Sequence, residues 1–421
     1  SGRTALGLQL LVAGALRYGE PGIILAVEQS PEQFRREAWG FGLDLQALEA
    51  RGRLRVIYAR RDDLYSSFAE RESVALSRIA EAAFDLKARR LLVDPGAEFF
   101  RIPMPDEDRH RVFEEFIRKL KDLNLTPVLT GDVPADGRDF GPEEAAVDAI
   151  LRLDHGPAAF MGGRRRRELE VIKARGQQVL EGRHLFRIEP GRIRVFPCAF
   201  SGTLEIYQIE EGEVSEESRG GKKADGEGRL ATGVPDLDRL LGGGVWPGTA
   251  TLVAGAMATG KTLLASHFAA AGIEKGEPVL YVTLGDRASR LLEAADRRGL
   301  ALTRAAATGA LTLLQSDATG LHPIEFVYDL QERLEATRAR RVVIDGLCGL
   351  LTRASCSDER SCFMEMLGDL FVRQNVTSFL TCRVEESGLL GVASFSCVRQ
   401  VDNVLYLKLT ELAGRLRRMI A

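Results

Sequence analysis

Several function classes drop out because their signatures are missing. Across 421 residues no apolar run approaches the roughly 20 residues that span a bilayer, and no signal peptide is recognisable, so no membrane role is expected. The six cysteines (Cys198, Cys348, Cys356, Cys362, Cys382 and Cys397) show no C-x-x-C spacing, and the five histidines lie far apart. That pattern argues against a structural metal and for reduced, cytoplasmic thiols. A formal net charge of −3 offers no basic excess of the kind that marks a dedicated nucleic-acid binder, although a local basic channel is not excluded by it. What is present is globular: 45% hydrophobic and 28% charged residues, on a chain too long for one ordinary core.

The chain repeats itself. Gly19-Glu20-Pro21 before the apolar run Ile23–Val27 returns as Gly276-Glu277-Pro278 before Val279–Val282. Ala88-Arg89-Arg90-Leu91-Leu92-Val93-Asp94 returns as Ala339-Arg340-Arg341-Val342-Val343-Ile344-Asp345, and Val147–Leu151 returns as Val401–Leu405. A period of about 250 residues is far beyond solenoid repeats and marks a duplicated domain. Between the copies, Glu213 to Gly228 holds Val214 as its only large apolar residue and reads as a linker. Within each copy, short apolar runs (Ile23–Val27, Leu91–Asp94, Val342–Asp345, Val376–Leu380) alternate with amphipathic stretches such as Phe113–Asp122 and Glu325–Ala339. Such alternation predicts a parallel sheet covered by helices on both faces.

Gly255-Ala256-Met257-Ala258-Thr259-Gly260-Lys261-Thr262 fits the phosphate-loop pattern G-x-x-x-x-G-K-[ST], after a strand-like Thr251–Ala254 and before a helical run. Glycines at those positions let backbone N–H groups turn inward around phosphate oxygens, at the positive end of the helix. Lys261 would reach the β and γ phosphates and the Thr262 hydroxyl would ligate Mg²⁺, with Asp345 as the Walker B carboxylate of the metal shell. By the repeat, Ser1-Gly2-Arg3-Thr4 is the tail of a first such loop, with Arg3 in place of the lysine and Thr4 in place of Thr262. Arginine keeps the charge but is bulkier and aims its donors differently. Asp94 is then the counterpart of Asp345.

The segment from Thr232-Gly233-Val234-Pro235-Asp236-Leu237-Asp238 through Leu241-Gly242-Gly243-Gly244 to the phosphate loop resembles the entry to a KaiC-type ATPase module, a pattern shared more loosely with the recombinase RadA. The resemblance covers both copies. It implies a hexameric double ring with ATP held between neighbouring subunits. It also implies that Glu28, at a position where the family carries two adjacent glutamates, is the base that activates water; Gln29 departs from the pattern. Arg164–Arg167 followed by Leu169–Gly176 resembles the family segment whose K-x-R pair, here Lys173 and Arg175, touches a neighbour's ATP phosphates. Period-two spacing predicts one strand face for that pair, and the arginine run reads as a solvated hairpin rim. The family's histidine a few residues on is replaced by Val179.

The second copy departs from the family more sharply. Gly285 and Asp286 stand where Glu28 and Gln29 stand in the first, so the usual base is absent, and Arg298 replaces a large aromatic. The family's phosphoacceptor Ser-Thr pair becomes Val398-Arg399, with Ser394 and Ser396 out of register. The expectation is therefore an α/β protein of two tandem RecA-like P-loop NTPase domains, each a mostly parallel sheet flanked by helices, over residues 1–212 and 229–421, joined by a linker at 213–228. Its expected activity is that of an ATP-binding ring protein, a regulatory or scaffold ATPase with slow hydrolysis in the first domain and little in the second. Mg²⁺, ATP or ADP, homo-oligomerisation as a hexamer and a regulatory protein partner go with that reading; nucleic acid is not expected. Two alternatives share the fold: a Ser/Thr autokinase, against which the lost acceptors and base count, and a DNA-dependent ATPase of the RadA or helicase kind, which wants basic loops where Pro95–Asp108 and Gly346–Glu359 carry mixed charge.

Overall fold

β-branched and aliphatic runs of four to six residues, each buried on both sides, need a partner strand on either edge and helices above and below. The computed structural model satisfies that need twice. It describes residues 2–65, 73–101, 105–131, 143–156, 166–197, 228–316, 321–354, 357–384, 400–412 and 415–421, in two units, Ser1–Ala199 and Phe200–Ala421. Of the segment read as a linker, only Gly228 is among them.

In the first unit β1 (Gly22–Val27), β2 (Leu54–Ala59), β3 (Arg90–Asp94) and β4 (Thr126–Leu129) form a parallel sheet in the order β2-β1-β3-β4. Helices Arg3–Ala13, Val74–Leu86 and Asp106–Asp122 are among those that flank it. One apolar cluster, including Leu8, Ile24, Phe34 and Leu92, fills one face, and another, including Ile23, Ile79, Leu91 and Phe116, fills the other. The unit also holds a separate antiparallel sheet of β5 (Ala149–His155), β6 (Arg167–Ala174), β7 (Arg183–Glu189) and β8 (Arg192–Phe196), in that order.

In the second unit one seven-stranded sheet runs β11-β10-β12-β13-β9-β14-β15. Its members are β9 (Ala250–Gly255), β10 (Val279–Thr283), β11 (Leu311–Gln315), β12 (Arg341–Asp345), β13 (Thr377–Arg383), β14 (Asn403–Leu412) and β15 (Arg415–Ile420). All pairings are parallel except the last. The repeat therefore diverges at one place. β14, into which the Val401–Leu405 match runs, lies against β9, whereas its counterpart β5 belongs to the antiparallel sheet.

The repeated Gly-Glu-Pro and Ala-Arg-Arg motifs prove to be a staple of the sheet. Arg341, fully buried, pairs through Nε with Glu277 and donates through Nη1 to the carbonyls of Ala231 (2.8 Å) and Phe268 (3.1 Å), its guanidinium 4.7 Å from the Phe268 ring centre. Arg90 repeats the arrangement, donating to Glu20 (2.7 Å) and to the Leu10 carbonyl (2.7 Å), with its guanidinium 5.4 Å from Tyr18. A buried guanidinium is tolerated because carboxylate, carbonyls and a ring face replace its water. Lysine could not reproduce that set.

Candidate nucleotide sites

The best-formed site lies at the carboxyl ends of β9, β12 and β13, where a parallel α/β sheet opens its crevice. β9 ends on Gly255, which packs so tightly under β14 that a Cβ there would meet the Leu407 carbonyl oxygen at 2.3 Å. The chain then turns through Ala256-Met257-Ala258-Thr259, with Ala258 at φ 62° in the left-handed region, to Gly260 at φ 107°. Gly260 caps the Lys261–Glu274 helix. A non-glycine residue at positive φ costs of order 1 kcal/mol or more, and such strain clusters at ligand clamps. Met257 is exposed and Thr259 buried, its hydroxyl donating to the Ala256 carbonyl at 2.9 Å. Lys261 curls into the loop, its Nζ donating to the carbonyls of Gly255 (2.9 Å) and Ala256 (2.6 Å). Burial holds its pKa below the ordinary lysine value, opposed by the charge of Asp345 and assisted by that of Arg383.

Asp345, at the end of β12, is 6% exposed. Thr262 donates to its Oδ1 at 3.2 Å, Thr381 donates to the same oxygen, and the Tyr281 hydroxyl donates to Oδ2 at 3.4 Å. Burial pushes the carboxyl above its usual range; the hydroxyls of Thr381 and Thr262 pull it down, and Asp286 adds to the rise. Tyr281 is itself buried deeply enough that its phenol is pushed well above its ordinary pKa, so it serves as a donor. A carboxylate and a hydroxyl side by side are hard oxygen ligands of the kind Mg²⁺ takes beside nucleotide phosphates, so the residues present fit that ion.

The first unit reproduces the core of this arrangement. Gly2 at φ 108° caps the Arg3–Ala13 helix as Gly260 caps its own. Asp94 is buried, Thr130 donates to its Oδ1, and Thr4 also hydrogen-bonds the carboxyl. Burial again raises Asp94 above the usual carboxylate range, offset by those two hydroxyls and by the charge of Arg3. Arg3 donates through Nη1 to the Gly131 carbonyl. Glu28, exposed and at φ 57°, accepts from the Arg61 backbone N–H at 2.6 Å. Ser1 lies outside the described residues.

Two expectations are corrected. Lys173 lies in β6, but the strand ends at Ala174 and Arg175 sits in the following turn, so the pair does not share a strand face. Arg175 instead donates to the Ala145 carbonyl (3.0 Å) and lies 3.8 Å from Asp148. The thiols are not all reduced either, because Cys348 and Cys382 form a disulfide with Cα atoms 5.4 Å apart. β12 and β13 are neighbours with Asp345 opposite Thr381, so Cys348, three residues past β12, meets Cys382 inside β13 although 34 positions separate them. Arg298, exposed in the turn after the Ala288–Asp296 helix, donates back to that helix at the Ala294 carbonyl (2.8 Å). Val398, Arg399, Ser394, Ser396, Arg164 and Arg165 lie outside the described residues.

Sequence reasoning passed over Thr130 and Thr381, the hydroxyls that grip the two aspartates. The signal was in the repeat: Thr126-Pro127-Val128-Leu129-Thr130-Gly131 matches Thr377-Ser378-Phe379-Leu380-Thr381-Cys382. It also passed over Arg418 on β15, whose Cδ would lie 3.9 Å from a Cβ on Gly260. Among the described residues, no cluster of three or more His, Cys, Asp or Glu side chains could hold a metal alone, and no helix is long and apolar enough to cross a membrane.

Comparison with known proteins gives this geometry its context. The family model described as the KaiC ATPase matches residues 1–199 and 230–421. The circadian clock oscillator protein KaiC of Parathermosynechococcus lividus is 26% identical over 430 residues, spanning all of this chain and 75% of that protein. Its namesakes from Thermostichus vulcanus (27% over 432 residues) and Picosynechococcus (26% over 431 residues) are matched over the whole of this chain and 78% of their own length. With both copies of the module matched across nearly the entire chain, the protein belongs to the KaiC ATPase family.

Proposed function

We infer that the chain is a cytoplasmic regulatory or scaffold ATPase whose two domains, residues 1–212 and 229–421 about a 213–228 linker, divide the labour of holding and hydrolysing ATP. The observation that carries this reading is the second phosphate loop, with Lys261 turned into it and Thr262 on the Walker B aspartate. Incoming phosphate oxygens replace the two carbonyls now bonded to Lys261, and the backbone N–H groups of Gly255–Thr262 face the same anion. Arg418 brings a second cation beside Gly260. When bound, Mg²⁺ supplies charge neutralisation across the β and γ phosphates. Thr262 would be its hydroxyl ligand, and Asp345 would hold its shell directly or through water.

Hydrolysis needs a base within reach of the attacking water, typically worth about 10²–10⁴-fold. Gly285 has no side chain to serve, and Asp286 is one residue displaced and shorter than glutamate. The second site therefore acts as a nucleotide-loaded clamp. Glu28 is the base of the first site, where Arg3 and Thr4 stand for lysine and threonine and Asp94 holds the metal shell. Its exposed carboxylate engages only one backbone N–H in the described contacts, which leaves lone pairs to accept a proton. Family resemblance supports a homo-oligomer, a hexamer, in which Lys173 and Arg175 reach a neighbour's phosphates, together with a regulatory protein partner. Binding of Mg²⁺ and a fluorescent ATP analogue to Lys261→Ala tests the reading: the second-site signal should vanish, and unchanged affinity there would refute it.

A further inference from the structure

The Cys348–Cys382 bridge sits where the second site is wired together. Cys348 is three residues past Asp345, and Cys382 directly follows Thr381, the residue that grips that aspartate. The same short turn is pinned to β13 by the Gly346 N–H donating to Thr381 Oγ1 (2.9 Å) and the Leu347 N–H donating to the Thr381 carbonyl (3.0 Å). Thr381 Oγ1 thus joins the turn to the metal-shell carboxylate, and the disulfide closes a covalent ring around that joint. The first unit builds the same Thr130–Asp94 contact with Gly131 after the threonine and no cysteine in Pro95–Arg101. The network therefore forms without a disulfide, and the bridge is an addition peculiar to the second site.

We propose that Cys348 and Cys382 are a thiol–disulfide exchange site that takes a dithiol reductant and couples redox state to nucleotide affinity at the second site. This rests on the reading of that site as a nucleotide binder in a reducing cytoplasm, where disulfides are usually transient and redox-sensing. Cys348 is half-buried and Cys382 only 1% exposed, so the incoming thiolate attacks Cys348 Sγ and Cys382 leaves as thiolate. The reductant's second thiolate then attacks its own sulfur in the mixed disulfide and releases Cys348. Two electrons pass from dithiol to protein, and the two thiol protons end on Cys348 and Cys382. Unbonded sulfurs need more room than bonded ones. Cys382 is walled in, so Cys348 and its turn move outward, drawing the Gly346 N–H off Thr381 and loosening the hold on Asp345. The oxidised form binds Mg²⁺–nucleotide more tightly. Nucleotide in turn protects the bridge from reduction by the same factor, as linkage requires.

The test titrates the full chain with Mg²⁺ and a fluorescent non-hydrolysable ATP analogue, oxidised and after dithiol treatment, subtracting the Lys261→Ala signal. Reduction should raise the second-site Kd by about 5-fold or more, and Cys348→Ser should read as reduced under both conditions. If that variant fails to fold, reduced wild type carries the same comparison. Affinities agreeing within about 2-fold in the two states overturn the switch alone. So does mass spectrometry that finds Cys348 and Cys382 unlinked after oxidation. No binding in either state overturns the nucleotide reading and the switch with it.

Discussion

Thr381→Val removes one hydroxyl and almost no volume, which makes it a direct probe of the Asp345 environment. Thr381 is 1% exposed, and its Oγ1 both donates to Asp345 and accepts from the Gly346 N–H at 2.9 Å. Losing the bond to an ionised group costs about 1.5–3 kcal/mol, and leaving the Gly346 donor without an acceptor costs about 1–3 kcal/mol. The extra buried methyl returns about 0.8 kcal/mol. The net is a destabilisation of about 2–5 kcal/mol. It should depend on pH. Asp345 already titrates above the usual carboxylate range because of its burial, and the Thr381 bond is the first influence opposing that rise. A group whose folded pKa is raised contributes stability that is lost as pH rises through that pKa. The variant's deficit should therefore grow as pH rises through the Asp345 pKa and shrink as pH falls below it. Urea unfolding in a Trp39→Phe background, with Trp246 as reporter for the second unit, measures it. A deficit that stays below about 1 kcal/mol, or that does not change with pH, would refute the account of this network.

The division of labour predicts that Glu28→Gln lowers steady-state ATP turnover by about 10²–10⁴-fold; unchanged turnover, with Asp286→Asn abolishing it, would assign the base to Asp286. Gly285→Glu supplies the missing carboxylate where a Cβ meets nothing within 4 Å, so turnover should rise above wild type, by roughly 10²-fold if the base is all that is lacking. Second-site affinity for Mg²⁺–nucleotide should fall on the acid side as the raised Asp345 carboxyl protonates, and on the alkaline side earlier than an ordinary lysine allows, since the pKa of Lys261 is lowered by burial. Binding isotherms across pH check both limbs, and a flat profile would count against both assignments. Lys173→Ala with Arg175→Ala should weaken nucleotide-dependent assembly, read by light scattering at a saturating ATP analogue.

The sequence alone determined whatever depends on local pattern. The duplication, the alternation of strand and helix, the Gly255–Thr262 loop and the two aspartates at strand ends are all contiguous signals, and the structure places each where the pattern predicts. Lys173 and Arg175 mark the limit of that logic. Period two holds only while the chain stays extended, and the strand stops one residue short of Arg175. Tertiary structure decided what surrounds each aspartate. A parallel sheet brings β13 beside β12 only after a crossover helix, so Asp345 and Thr381 meet across 36 residues, and no spacing rule links them. The same adjacency joins Cys348 to Cys382, where sequence read separate thiols. It also makes Tyr281 a donor to Asp345, because β10 lies on the other side of β12 and its buried phenol has no other carboxylate in reach among its described bonds. Side-chain identity specified these groups. Strand order alone made them neighbours.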